Sequence, residues 1–146
     1  MSLVQKLDPR HWRIVRRLFD SFRKQYFTVS GAPRQLKLKC TVGELREVLG
    51  ERHFTNAWEL SYQYEGEDLN MRRPLYKHDE YNWYQLHVRG FETEDGYVEV
   101  HAHIELEPTE HPYEHISETN FNTEDGKRRL QSVLDGAGIT YTAIDD

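Results

Sequence analysis

A chain of 146 residues is the size of one ordinary domain, and folding removes about 68–70% of such a chain's surface from water, enough for a core without covalent staples. A single cysteine, Cys40, excludes an intrachain disulfide, and residues 1–13 lack the apolar stretch of a secretory signal. No run of about 18 apolar residues occurs, so no membrane span is expected and the expected location is cytoplasmic.

The net charge of −6 is unevenly spread. Residues 1–39 carry ten Lys or Arg against Asp8 and Asp20, a local charge of +8, which leaves −14 for the rest. Such a division marks either a basic segment that docks on its own acidic body or an arm that meets nucleic acid. The acidic partner is already in the chain, and its charge would repel a duplex, so docking is the simpler expectation and nucleic acid is not an expected partner.

Asp8 and Pro9 have the form of an N-cap and first helical residue. Trp12, Val15, Leu18, Phe19, Phe22 and Tyr26 then recur at spacings of three and four, which predicts an amphipathic helix over about 9–27 with Arg10, Arg13, Arg17 and Lys24 on its other side. Gly31, Ala32 and Pro33 break the pattern. Leu36, Leu38 and Cys40 then alternate with Lys37 and Lys39 as in a short strand, where Cys40 reads as a small core residue rather than a nucleophile. Thr41 and Glu44 form a capping box for a second helix that buries Leu45, Val48 and Leu49 and stops at Gly50.

From Asn56 the period becomes two: Trp58, Leu60, Tyr62 and Tyr64 lie on one face of a strand that turns near Gly66. This alternation argues against a helix-turn-helix over 41–62 with Thr55 as a cap. A weaker strand follows over 69–76, with Pro74 marking an edge or an early end.

Residues 83–107 predict a long antiparallel hairpin. Its apolar side is explicit in Tyr84, Leu86, Val88, Val98, Val100, Ala102, Ile104 and Leu106, all at even positions. Glu94, Asp95 and Gly96 fit a three-residue connection, a type I turn with Gly96 supplying the left-handed residue. That loop sets Thr93 against Tyr97, Leu86 against Ile104 and Val88 against Ala102. A two-residue loop would set apolar positions against polar ones. Pro108 ends the second strand, Asn122 caps a third helix that buries Leu130, Val133 and Leu134 and stops near Gly136 or Gly138, and 139–144 reads as a final strand. The expected fold is α+β: one domain over 1–146, with a basic N-terminal helix, an acidic body over 40–146, and a mainly antiparallel sheet of four to six strands with about three helices on its apolar face.

The hairpin's polar face carries the candidate chemistry. The register places His87 opposite His103, Arg89 opposite His101 and Gln85 opposite Glu105. Opposed residues have Cβ atoms roughly 4.5–5.5 Å apart, close enough for two imidazoles to share a metal ion. Glu105 adds the oxygen that a zinc site of two His and one carboxylate requires. Without metal, His87, His103 and Glu105 form an acid–base group, with Arg89 orienting a small anionic ligand. A solvated polar face would explain the Glu residues, but Trp83, Phe91 and Tyr97 beside Arg89 and His101 point to a pocket or a surface that binds a protein partner or a second copy. The leading expectation is therefore a binding or regulatory domain without a cofactor. The alternative is a hydrolase or isomerase, with a divalent metal such as zinc as its one expected cofactor.

His111-Pro-Tyr-Glu-His115 has the H-x-x-E-H spacing of inverted zinc proteases. Pro112 at a helix's first position would make His111 a cap pointing elsewhere, so a loop that brings His111 or His115 to the hairpin face is the better reading. No phosphate loop, G-x-G-x-x-G, nucleophile elbow or paired CxxC occurs.

Overall fold

A computed structural model describes residues 14, 18, 28–29, 31–57, 63–75, 84–106 and 122–144. Contacts divide the chain into two compact units, Met1–Ala32 with Glu59–Glu65, and Pro33–Trp58 with Gly66–Asp146. In the first, β1 (Thr28–Val29) pairs in parallel with β4 (Gln63–Tyr64), and Ile14 and Leu18 are helical and exposed. The rest of the expected 9–27 helix, and residues 58–62 of the expected alternating strand, lie outside the described residues.

The second unit is built on a six-stranded sheet in the order β3-β5-β6-β7-β2-β8, with every neighbouring pair antiparallel. Its strands are β2 (Leu36–Leu38), β3 (Thr55–Asn56), β5 (Leu69–Pro74), β6 (Tyr84–Glu92), β7 (Val98–Leu106) and β8 (Tyr141–Ala143). Two helices are delimited among the described residues, α1 (Val42–Glu51) and α2 (Thr123–Ala137), against the three expected. Thr55 lies in a strand paired with β5, which removes the helix-turn-helix reading.

Local signals set the element ends. The Thr41 side chain accepts from the Glu44 N–H at 3.1 Å at the start of α1, as its capping box requires. Asn122 accepts from Asp125 N–H at 3.0 Å at the start of α2, and Gly138 ends that helix with a left-handed φ of 74°. At the hairpin, Thr93 N–H donates to Tyr97 O and Gly96 N–H to Thr93 O, with Gly96 at φ 83°. This is the three-residue connection, and β6 pairs with β7 in the expected register throughout. Pro74 is the last residue of β5 and lies beyond the short pairing with β3, where a missing N–H leaves no ladder bond unmade.

The core joins Leu36, Leu38, Leu86, Val88, Val100, Ala102 and Ile104 of the sheet to Leu45 and Leu49 of α1 and Leu130 and Leu134 of α2. Cys40 belongs to this core, and burial pushes its thiol up to about 11, which leaves it protonated and unreactive at neutral pH. Beyond the reach of β2, the outer edge of β7 is closed by other groups. Ala102 N–H donates to the Gln35 side chain, and Ile104 N–H to Asn122 O. That second bond ties the first turn of α2 to the strand that carries His103.

Candidate functional site

Strand alternation places Gln85, His87, Arg89 and Phe91 of β6 on the face opposite the core, with His101, His103 and Glu105 of β7 facing them across the ladder. On the other flank β5 sets Asn70 against Arg89 and Arg72 against His87. The face is not solvated. Gln85, His87 and His103 are each 1% exposed, Arg89 2%, His101 3% and Glu105 6%. Alternation along an antiparallel strand commonly means one wet face; here both faces are inside the protein. Buried polar groups need partners, so their contacts report on the site's purpose.

Glu105 is the hub. Its Oε1 accepts from Gln85 Nε2 at 2.8 Å and lies 2.6 Å from His87 Nδ1, while Oε2 lies 3.1 Å from His103 Nε2. The far nitrogen of each imidazole is also engaged: His87 Nε2 with Asn70 Oδ1, and His103 Nδ1 with His101 Nδ1 at 3.4 Å. The His87 and His103 rings meet edge-on with centroids 5.0 Å apart.

His87 thus bridges two acceptors, with Nε2 at Asn70 Oδ1 and Nδ1 2.6 Å from Glu105 Oε1, and its tautomer decides which of them receives the ring proton. Burial holds His87 down to about 4 and His101 to about 3. Burial works to raise Glu105, but interaction with His87 and hydrogen bonds from His103 and His87 outweigh it and hold the carboxyl well below the usual range. Once His87 is neutral, His103 Nε2 remains to keep the carboxylate charged. At neutral pH the cluster is thus a buried carboxylate in contact with two imidazoles, where a shared ring proton or a bound cation would balance its charge.

The donor set fits one. His87, His103 and Glu105 present ligand atoms that all lie within 4.8 Å of one another. Donors about 2.0–2.2 Å from a tetrahedral zinc stand roughly 3.4 Å apart, so the 2.6 Å separation of His87 Nδ1 and Glu105 Oε1 would have to open to admit an ion. Metal-binding imidazoles characteristically donate the second ring N–H to a fixed acceptor. Were a metal bound to His87 Nδ1 and His103 Nε2, Asn70 Oδ1 and His101 Nδ1 stand where those acceptors would be.

The other expected residues are placed differently. Arg89 Nη1 is 2.5 Å from Glu67 Oε2, with both side chains 2% exposed, so an internal carboxylate already balances the charge expected to orient an anion. Phe91 is buried, with the Arg34 guanidinium 4.5 Å over its ring. Tyr97 stands at the hairpin turn, 37% exposed, beside Lys37. Phe91, Arg89 and His101 are therefore interior residues and not parts of an exposed recognition surface. Trp83, His111 and His115 lie outside the described residues. Sequence reading missed Glu67, Asn70 and Arg72. Asn70 and Arg72 alternate with Leu69 and Met71, a signal that needed only the β5–β6 register to connect it to the site. No family model, curated protein or solved structure matches this chain.

Proposed function

We propose that this protein is a metalloprotein whose hairpin holds one divalent ion of the zinc class through His87 Nδ1, His103 Nε2 and the Glu105 carboxylate. The observation that carries the reading is that two buried imidazoles and a buried carboxylate present ligand atoms within 4.8 Å of one another, with the opposite ring nitrogens engaged by Asn70 and His101. Bound there, such an ion would supply Lewis-acid chemistry toward an oxygen of a small anionic substrate. Glu105 would balance its charge, Gln85 holds the carboxylate's rotamer, and Asn70 and His101 would set the tautomers of the two ligating rings. A recognition surface for a protein partner has less support, because three of its proposed residues, Arg89, Phe91 and His101, are buried.

The test is elemental analysis of protein purified without a histidine tag, stripped with chelator and reloaded with zinc or cobalt. About one ion per chain is expected, with His103→Ala and Glu105→Gln failing to retain it and Asn70→Ala weakening affinity roughly 10–100-fold. Folded wild-type protein that retains neither ion overturns the reading. That result would return the cluster to a metal-free role in which Glu105 orients His103 as an acid–base group.

A further inference from the structure

The six-stranded sheet ends on two unlike edges. β3 is two residues long, and the Arg46 guanidinium holds the Asn56 side chain at 3.2 Å, so that edge is short and flanked by charge. β8 forms the other edge, and among the described residues only β2 pairs with it. Residues 139–144 carry neither charge nor proline in a chain that is 30% charged, and Ile139, Thr140, Thr142 and Ile144 are β-branched. Exposed edges are ordinarily blunted by Lys, Pro or a covering segment, yet here the Thr142 and Ala143 side chains are open to water. We propose that β8 is a self-association edge, joining two copies of this chain about a two-fold axis at Thr142 into one continuous antiparallel sheet.

The backbone defines the register. Lys39 N–H donates to Thr140 O at 2.9 Å and Ile144 N–H to Gln35 O at 2.9 Å, while Thr142 stands opposite Lys37. Even-numbered residues here therefore bond inward to β2, and alternation turns the N–H and C=O of Tyr141 and Ala143 toward the free edge. An axis at Thr142 sets Tyr141 of each copy against Ala143 of the other, so every outward N–H and C=O of β8 finds a partner inside β8. An axis at Tyr141 or Ala143 would leave the other residue to pair beyond the strand. Side chains agree with that register. Tyr141 pairs with Leu38 and Ala143 with Leu36 on the core face, and Tyr141 packs against the core. The large Tyr141 then lies beside the small Ala143 of the second copy, which extends the apolar row across the join. On the other face Thr142 meets Thr142, a favourable cross-strand pair, and Thr140 meets Ile144. A strand from a different protein would find the same backbone atoms but not this two-fold match. Isologous pairing consumes the edge in both copies, and the short β3 edge does not extend it, so assembly closes at a dimer.

Sedimentation velocity of the intact protein between about 10 and 500 μM should show a reversible monomer–dimer equilibrium, the range of a small transient interface. Ala143→Pro removes one outward N–H per copy and spares the inner ladder to β2. Checked for folding by circular dichroism, it should weaken dimerisation at least about tenfold. Thr142→Cys should form a disulfide-linked dimer on mild oxidation, because non-hydrogen-bonded partners stand about 4.5 Å apart at Cα. Thr140→Cys, out of register with its own copy, should not, and the buried Cys40 is common to both variants. Wild type that stays monomeric across the range overturns the proposal and would leave the edge to a strand of another protein. A dimer that folded Ala143→Pro preserves also overturns it, as does cross-linking of Thr140→Cys as efficient as that of Thr142→Cys.

Discussion

Gly126→Ala should destabilise the protein even though alanine is the better helix former. Gly126 lies in the first turn of α2, and a Cβ built there would stand 2.5 Å from His103 Cα, 2.8 Å from its N and 2.9 Å from its C. Ordinary contacts begin near 3.4 Å, so the nearest falls about 0.9 Å short, and all three obstacles are backbone atoms with no rotamer to yield. Either α2 lifts off β7, loosening Leu130 and Leu134, or β7 bows and carries His103 with it. Overpacking of this kind costs about 1–3 kcal/mol, and backbone obstruction places it at the upper end, against a helix-propensity gain of about 1 kcal/mol. A net loss of about 2 kcal/mol is expected, a large fraction of a small domain's stability. Urea denaturation would show it as a midpoint lower by about 1 M at unchanged slope. Gly50→Ala is the control: it too lies in a helix, and its Cβ would meet nothing within 4 Å, so it should stabilise by about 0.5–1 kcal/mol. Gly126→Ala as stable as wild type would refute the close approach of α2 to His103.

The buried Arg89–Glu67 pair should be worth more intact than half-removed. Glu67→Gln or Arg89→Met alone removes one half of a buried ion pair and should cost about 3–5 kcal/mol, whereas the double variant should recover much of that loss; additive losses in a double-mutant cycle would contradict the pairing. For chelator-stripped protein, His87 and His101 predict acid sensitivity. Their folded pKa values, about 4 and about 3, lie below the unfolded value near 6.5, so the unfolded state binds more protons in between. Their stabilising contribution is full above pH about 6.5 and is lost progressively as pH falls toward 4. Arg89 and His103 disfavour the added protons, and Glu105, with its own lowered pKa, loses stability in the same direction at lower pH. Urea midpoints that stay flat between pH 7 and 5 would remove the premise of neutral buried imidazoles.

The hairpin was legible in the sequence because its information is local. Eight apolar residues at even positions define one face, and Gly96 supplies the left-handed residue that permits one loop length, so the opposition of His87 to His103 follows without any long-range contact. Thr41, Asn122 and Gly138 mark helix ends for the same reason: each cap is settled within a few residues. What alternation cannot say is whether the second face is wet. Burial of Gln85, His87, Arg89, His101, His103 and Glu105 depends on the rest of the chain, and it turned an expected recognition surface into an interior site. Tertiary pairing likewise brought Asn70 from β5 to His87, placed Glu67 on Arg89 and set β2 between β7 and β8. Periodicity within a segment can determine which residues share a face; which segment covers that face is decided by contacts between parts of the chain far apart in sequence.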